Sequence, residues 1–167
     1  PYASRFKKLV FSDEFRTDGL PDARKWGYEV GYVRNGEKQF YTDARKENAR
    51  IENGRLIIEA RKDDHDGKPI TSASLTTEGK FAMTKGRIEV KAKVPGGKGT
   101  WPAIWTLGTN IRQVGWPMCG EIDVLEYVGF DRTGVHHNVH VDSYNHMKGN
   151  GKGLRWEMSP PPTDGFH

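Results

Sequence analysis

A single cysteine, Cys119, stands among the 167 residues. That excludes an intramolecular disulfide framework and a cysteine-built zinc site. No stretch approaches the ~18 apolar residues that a membrane-spanning helix needs, so no membrane is expected as a partner. Nor does any window carry a sustained i, i+3, i+4, i+7 apolar stripe, which leaves amphipathic helices out of the expected fold. No sign of charge dominates. Lys and Arg number 26 against 22 Asp and Glu, a net charge of +4. The two signs interleave, as in Asp22, Arg24 and Lys25, or Glu89, Lys91 and Lys93. A nucleic-acid partner would need basic residues gathered on one face, and none is expected. The opening residues Pro1-Tyr2-Ala3-Ser4 have neither the basic start nor the apolar core of a signal peptide. They read as the start of a mature or trimmed chain.

What is present is aromatic and alternating. Apolar residues make up 35% and aromatics 11%, with five Trp, so the chain is not intrinsically disordered. At 18.9 kDa it has room for one domain, 1–167. The dominant period is two. In Gly86–Val94, Ile88, Val90, Ala92 and Val94 fall on one side, and Arg87, Glu89, Lys91 and Lys93 on the other. That is the pattern of a half-buried antiparallel strand. Lys8–Phe15, Arg55–Arg61, Ile70–Thr77, Ala103–Leu107, Gly120–Tyr127 and Val135–Val141 also read as strands. Between them lie turn residues, among them Glu52-Asn53-Gly54 and Glu78-Gly79-Lys80. The expected fold is all-β, two packed antiparallel sheets. Seven or eight strands barely fill two sheets, so the sandwich is expected to be incomplete at its C-terminal end.

The chemistry concentrates in Gly120-Glu121-Ile122-Asp123-Val124-Leu125-Glu126-Tyr127. Glu121 and Asp123 share one strand face, while strict alternation would send Glu126 to the other. One extra residue near Val124-Leu125, a β-bulge, would bring it back. The five-residue step would then rise as four, about 13 Å between Cα atoms. Side chains leaning together could close this to about 5–5.5 Å, the spacing of a retaining glycosidase. Two such carboxylates repel, so one proton tends to stay on the cluster. Asp123 can hydrogen-bond one Glu and help hold that proton. From the pattern alone, a catalytic pair, a metal site and a solvated acidic strand all stay open, although acids are disfavoured in strands. Trp101, Trp105 and Trp116 precede this strand, and flat rings stack on the C–H faces of sugars. Trp101 and Trp105 would equally serve as core filling. In His136-His137-x-x-His140, only His136 and His140 share a strand face, which is too few for zinc. His65 and His146 lie in polar, loop-like segments. Asp63-Asp64-His65-Asp66-Gly67 lacks the later Glu of a calcium loop and reads as a turn.

The same octapeptide resembles the E-I-D-x-x-E signature of glycoside hydrolase family 16, in the bulged form of laminarinases and related endo-β-glucanases. The similarity runs along most of the chain. It takes in Leu9-Val10-Phe11-Ser12-Asp13-Glu14-Phe15, Asn35-Gly36-Glu37-Lys38-Gln39-Phe40-Tyr41-Thr42, Gly86–Lys93, Trp101-Pro102-Ala103-Ile104-Trp105 and His140–His146. The resemblance implies a concanavalin A-like β-jelly-roll with a concave cleft. It implies retaining hydrolysis of internal β-1,3 or mixed β-1,3/1,4 glucan bonds in a secreted or periplasmic protein. It makes Glu121 the nucleophile, Glu126 the acid/base and Asp123 their assistant. Trp116, Trp101, Trp105, Asn35 and His140 would line the substrate cleft. No cofactor is implied for catalysis, and a structural calcium occurs in many members. Two positions depart from the family pattern: Gly36 replaces an Asn, and Ser74 stands where laminarinases carry Arg. The family domain also usually continues for several strands, so a missing segment or a second chain is expected to complete the sandwich. The rival readings are a non-catalytic β-glucan-binding protein on the same fold and a family enzyme for another polysaccharide. A binder would be expected to lack one of the two Glu, and both are here.

Overall fold

The computed structural model describes residue 6 and residues 8–167. The Pro1–Ser4 segment read above lies outside them. The chain divides between Arg87 and Ile88 into two compact units.

The first unit is built from short strands: β1 (Gly27–Glu29), β2 (Phe40–Tyr41), β3 (Ala49–Glu52), β4 (Arg55–Ile58), β5 (Thr71–Ser72) and β6 (Ser74–Thr76). β3 and β4 form a hairpin, with Glu52 opposite Arg55. Its two loop residues, Asn53 and Gly54, sit at φ 54° and 72°. Both are left-handed, which is the geometry of the tight turn that an Asn-Gly pair favours. β1 pairs antiparallel with β6, and β2 runs parallel to β5 over two residues. The strand expected over Ile70–Thr77 is thus broken at Ala73.

A fully buried polar residue, Asn48, organises this unit. Its Oδ1 accepts from Thr42 Oγ1 (2.9 Å) and Arg45 Nη1 (2.8 Å), and its Nδ2 donates to Glu59 O and Thr71 Oγ1, both at 3.0 Å. All four hydrogen-bonding positions of the amide are used. Arg45 continues the network to Asp63 at 2.8 Å. Arg61 also approaches Asp63, at 3.5 Å. Asp63 is therefore held by two guanidinium groups, which fits a structural turn and not a calcium loop.

The second unit holds β7 (Ala103–Leu107), a one-turn helix α1 (Ile111–Val114), β8 (Glu121–Tyr127), β9 (Gly134–His140), a 3-10 turn (His146–Lys148) and β10 (Lys152–Glu157). The strands form one antiparallel sheet in the order β10-β9-β8-β7. Tyr127 and Val135, paired across β8 and β9, are 1% and 3% exposed and anchor the sheet's buried side. Removing an aromatic ring from such a position costs roughly 3–5 kcal/mol.

Two expected strands join no ladder among the described residues. Lys8–Phe15 is held by its rings: Phe11 stacks on Phe81 at 4.7 Å and meets Trp26 edge-on at 5.9 Å. Gly86–Val94 keeps its alternation, and Ala92 and Val94 bond to the backbone of His167 and Pro162. Val94 is buried, while Ile88 and Val90 are 40% and 50% exposed. β10 was not expected from the sequence, since its Lys-Gly-Leu-Arg-Trp-Glu is exposed throughout.

Asn48→Ala is expected to cost about 2–3 kcal/mol, because it strands the Glu59 carbonyl and takes one hydrogen-bond partner each from Thr42, Arg45 and Thr71. The measurement is a urea midpoint that falls with an unchanged slope. An unaltered midpoint would show that the network contributes nothing net.

Candidate active site

β8 carries the three acids, and its register explains how they meet. Glu121 pairs with Leu107 on β7 and His140 on β9. Asp123 pairs with Trp105 and Asn138, and Glu126 with Ala103 and His136. The neighbours step by two residues at each rung, while β8 steps by two and then three. The extra residue lies between Asp123 and Glu126, where both registers shift. This is the expected bulge, and the Glu121-to-Glu126 step rises as four residues on either neighbour. A one-residue shift turns side chains to the opposite sheet face. The bulge therefore puts Glu126 on the face of Glu121 and Asp123.

Each glutamate is held by an indole. Trp116 Nε1 donates to Glu121 Oε2 at 2.5 Å, and Trp101 Nε1 donates to Glu126 Oε1 at 3.0 Å. The other Glu126 oxygen accepts from Asn138 Nδ2 at 2.6 Å. Trp101 is 65% exposed, so it is a surface ring over the acids and not core filling. Trp105 stands at the middle rung, on the acids' face.

Asp123 is 4% exposed, and its carboxyl is pushed up to about 7. Burial is the largest cause, followed by the hydrogen bond to Glu121 and the charges of Glu121 and Glu126; His140 pulls the other way. A hydrogen bond between two carboxyl groups needs one proton, and burial favours the neutral form of Asp123. His140 Nε2 lies 3.4 Å from Asp123 Oδ2. The buried Asp123 Oδ2 and His140 Nδ1 have no hydrogen-bond partner.

Sequence reasoning missed Asn138, His146 and Gly153. His146 packs its ring 5.0 Å from Trp116 and 5.2 Å from His140. The turn carrying it is fixed by buried Asn145, whose side chain caps Lys148 N and donates to Val141 O. Gly153 pairs with Asn138, and a Cβ there would lie 2.0 Å from Asn138 Oδ1. A glycine at this rung leaves room for the amide that holds Glu126. Asn35 belongs to the first unit, exposed and at φ 55°. Ser74, the departure noted above, donates to Glu29 Oε2 at 2.6 Å, and Glu29 also pairs with Arg34.

Among the described residues, one group could ligate a metal: Glu121, Asp123 and His140, with potential ligand atoms within 4.8 Å of one another. A cation there would have to displace the Asp123 proton and compete with the Trp116 N–H.

Two measurements test this geometry. Raised above its unfolded value near 4, the Asp123 carboxyl holds a proton in the folded chain that the unfolded chain loses. Wild-type stability should therefore fall, relative to Asp123→Asn, as pH rises from about 4 to about 7. Parallel stability curves would place the proton elsewhere. Gly153→Ala should lower turnover by roughly tenfold through displacement of the Asn138 amide, with a much smaller change in melting temperature; full turnover would show that the amide is dispensable.

The chain is similar to known proteins along most of its length. The family model "Glycosyl hydrolases family 16" matches residues 36–167. The Rhodothermus marinus protein named beta-glucanase is 48% identical over 164 residues, 96% of this chain and 57% of its own. A glucan endo-1,3-beta-glucosidase of Cryptopygus antarcticus is 42% identical over 128 residues, 72% of this chain and 46% of its own. The solved structure of the laminarinase from Rhodothermus marinus superposes with a TM-score of 0.90, covering 96% of this chain and 65% of that one. The fold is thus the all-β jelly-roll of these laminarinases. The chain spans between about half and two thirds of the length of these relatives. With a family model covering most of its length and a bulged Glu-Ile-Asp strand at its centre, the chain belongs to glycosyl hydrolases family 16.

Proposed function

We propose that residues 1–167 carry the catalytic domain of a retaining endo-β-glucanase that cuts internal β-1,3 or mixed β-1,3/1,4 linkages. The observation that carries this reading is the bulge in β8, which aligns Glu121, Asp123 and Glu126 on one face beneath exposed tryptophan. The names of the relatives, beta-glucanase and glucan endo-1,3-beta-glucosidase, support the substrate class.

In this reading Glu121 attacks the anomeric carbon of a bound glucan. Glu126 protonates the leaving glycosidic oxygen, so the bond breaks and a glycosyl ester forms on Glu121. Glu126 then takes a proton from water, which attacks that ester and releases the sugar with its configuration retained. The Trp116 N–H orients Glu121; Trp101 and Asn138 orient Glu126. Asp123 keeps a proton within the cluster and gives Glu121 its hydrogen bond. The rings of Trp101, Trp105 and Trp116 offer flat faces for sugar, and His140 is a further residue beside the acids. No metal takes part in any step. A polymeric glucan does not cross membranes, so the enzyme works outside the cytoplasm.

The test is release of reducing sugar from laminarin, lichenan and carboxymethyl cellulose. Hydrolysis is expected on the first two, lowered by several decades in Glu121→Gln while oligosaccharide binding survives. Glu126→Ala should lose about 10²–10⁴-fold on these polymers and far less on activated aryl glycosides, whose leaving groups need no proton. EDTA should leave the rate unchanged. Binding without turnover in the wild type would favour a glucan-binding protein. A chelator-sensitive rate restored by a divalent ion in the wild type, with that ion no longer bound in His140→Ala, would assign Glu121, Asp123 and His140 to a metal.

A further inference from the structure

The bulge that aligns the acids has its own holder. Val124 and Leu125 stand on β8 against a single residue of β9, His137, between the rungs Asp123–Asn138 and Glu126–His136. A bulge leaves one residue outside the ladder, with backbone groups that need another partner. The Nδ1 of His137 lies 2.7 Å from the Val124 carbonyl oxygen. A carbonyl only accepts, so Nδ1 is the ring nitrogen that carries hydrogen. The ring sits on the sheet face opposite the acids, among Ile122, Val124, Val139 and Leu154. It touches neither carboxyl group, and it stands where substrate at the acids does not reach.

The geometry points to His137 as a positioning residue: its Nδ1–H fastens the Val124 carbonyl, holds the two-against-one register of β8, and thereby sets where Glu126 stands relative to Glu121. Its kinetic consequence rests on the glucanase reading above; the register consequence does not. The alternative to the fastened bulge is a strand slipped by one residue, with Glu126 turned to the opposite face. Asn138 cannot prevent this slip alone, because its bond to Glu126 is a side-chain contact that would be lost with the register.

The experiment uses the whole chain in three forms. His137→Leu keeps the bulk and removes the donor. His137→Asn keeps an N–H at a similar reach. Misplacing a reacting group by about 1 Å can cost roughly 100-fold. His137→Leu should therefore lose about 10- to 100-fold in kcat on laminarin, with KM little changed, and distinctly less on an activated aryl β-glucoside. His137→Asn should recover most of the loss. A purely structural role would lower both substrates equally, and equal losses overturn the proposal, as does full activity in His137→Leu.

Two NMR readouts are independent of activity. In the wild type at pH 8, the ¹⁵N shifts of His137 should report the tautomer with hydrogen on Nδ1, a measurement that needs no variant to fold. The Glu126 side-chain carboxyl ¹³C shift should move in His137→Leu and return in His137→Asn. Hydrogen on Nε2, or an unmoved Glu126 signal, overturns the proposal. A wild type that hydrolyses no glucan but passes both NMR readouts would refute the glucanase reading and leave the clamp standing.

Discussion

One residue too many in a seven-residue strand governs the arrangement of the site. An antiparallel ladder alternates faces with a period of two, and β8 spaces its acids by two and then by three. A regular strand would split them, two on one face and one on the other. Because β7 and β9 keep their own step of two, the misfit is absorbed wholly within β8, between Asp123 and Glu126. The neighbours then act as rulers on both sides. Leu107, Trp105 and Ala103 on one side, and His140, Asn138 and His136 on the other, fix the height of each acid along the sheet. The bulge would have no defined position if either neighbour were free to slide.

The electrostatics follow from this geometry. Three carboxyl groups on one sheet face cannot all ionise without mutual repulsion. The middle rung is the most enclosed, with Asp123 at 4% exposed and charges on both sides, so its carboxyl is the one pushed up to about 7. Each outer acid instead meets an indole N–H, a donor with no acceptor capacity that cannot trade roles with a carboxylate. Trp101 comes from the chain leading into β7, Trp116 from the loop leading into β8, and Asn138 from β9. Separate segments thus aim donors at one strand.

Much of this was legible in the sequence. The bulge could be read because three acids break a strict alternation in a strand otherwise rich in Ile, Val, Leu and Tyr. The Asn53-Gly54 turn was visible because that dipeptide tolerates the left-handed backbone it adopts. Asn138 and His146 were not visible. Their importance lies in what stands across from them, Glu126 in one case and Trp116 in the other, and such pairings depend on register and loop path. Gly86–Val94 shows the converse. Its alternation is as clean as any in the chain, yet it lies outside every described ladder, because hydrogen-bonded pairing belongs to two segments and a pattern describes one. β10 was missed because its apolar side amounts to two residues, Leu154 and Trp156, too short a run to declare a strand.

The two faces of the sheet hold different things, side chains on one and the strand register on the other. On one face, acids, indoles and the Asn138 amide are arranged as a polar surface. On the other, an imidazole ring among aliphatic side chains bonds to a backbone carbonyl. The polar face can be rearranged by single side chains without moving the strand. The opposite face controls the strand itself, and a change there would move the acids together with everything that donates to them. The position of Glu126 is for this reason as much a property of β9 as of β8. The His136-His137-Asn138 triplet meets it from both faces of the sheet, with the ring of His137 on the backbone and the amide of Asn138 on the carboxylate.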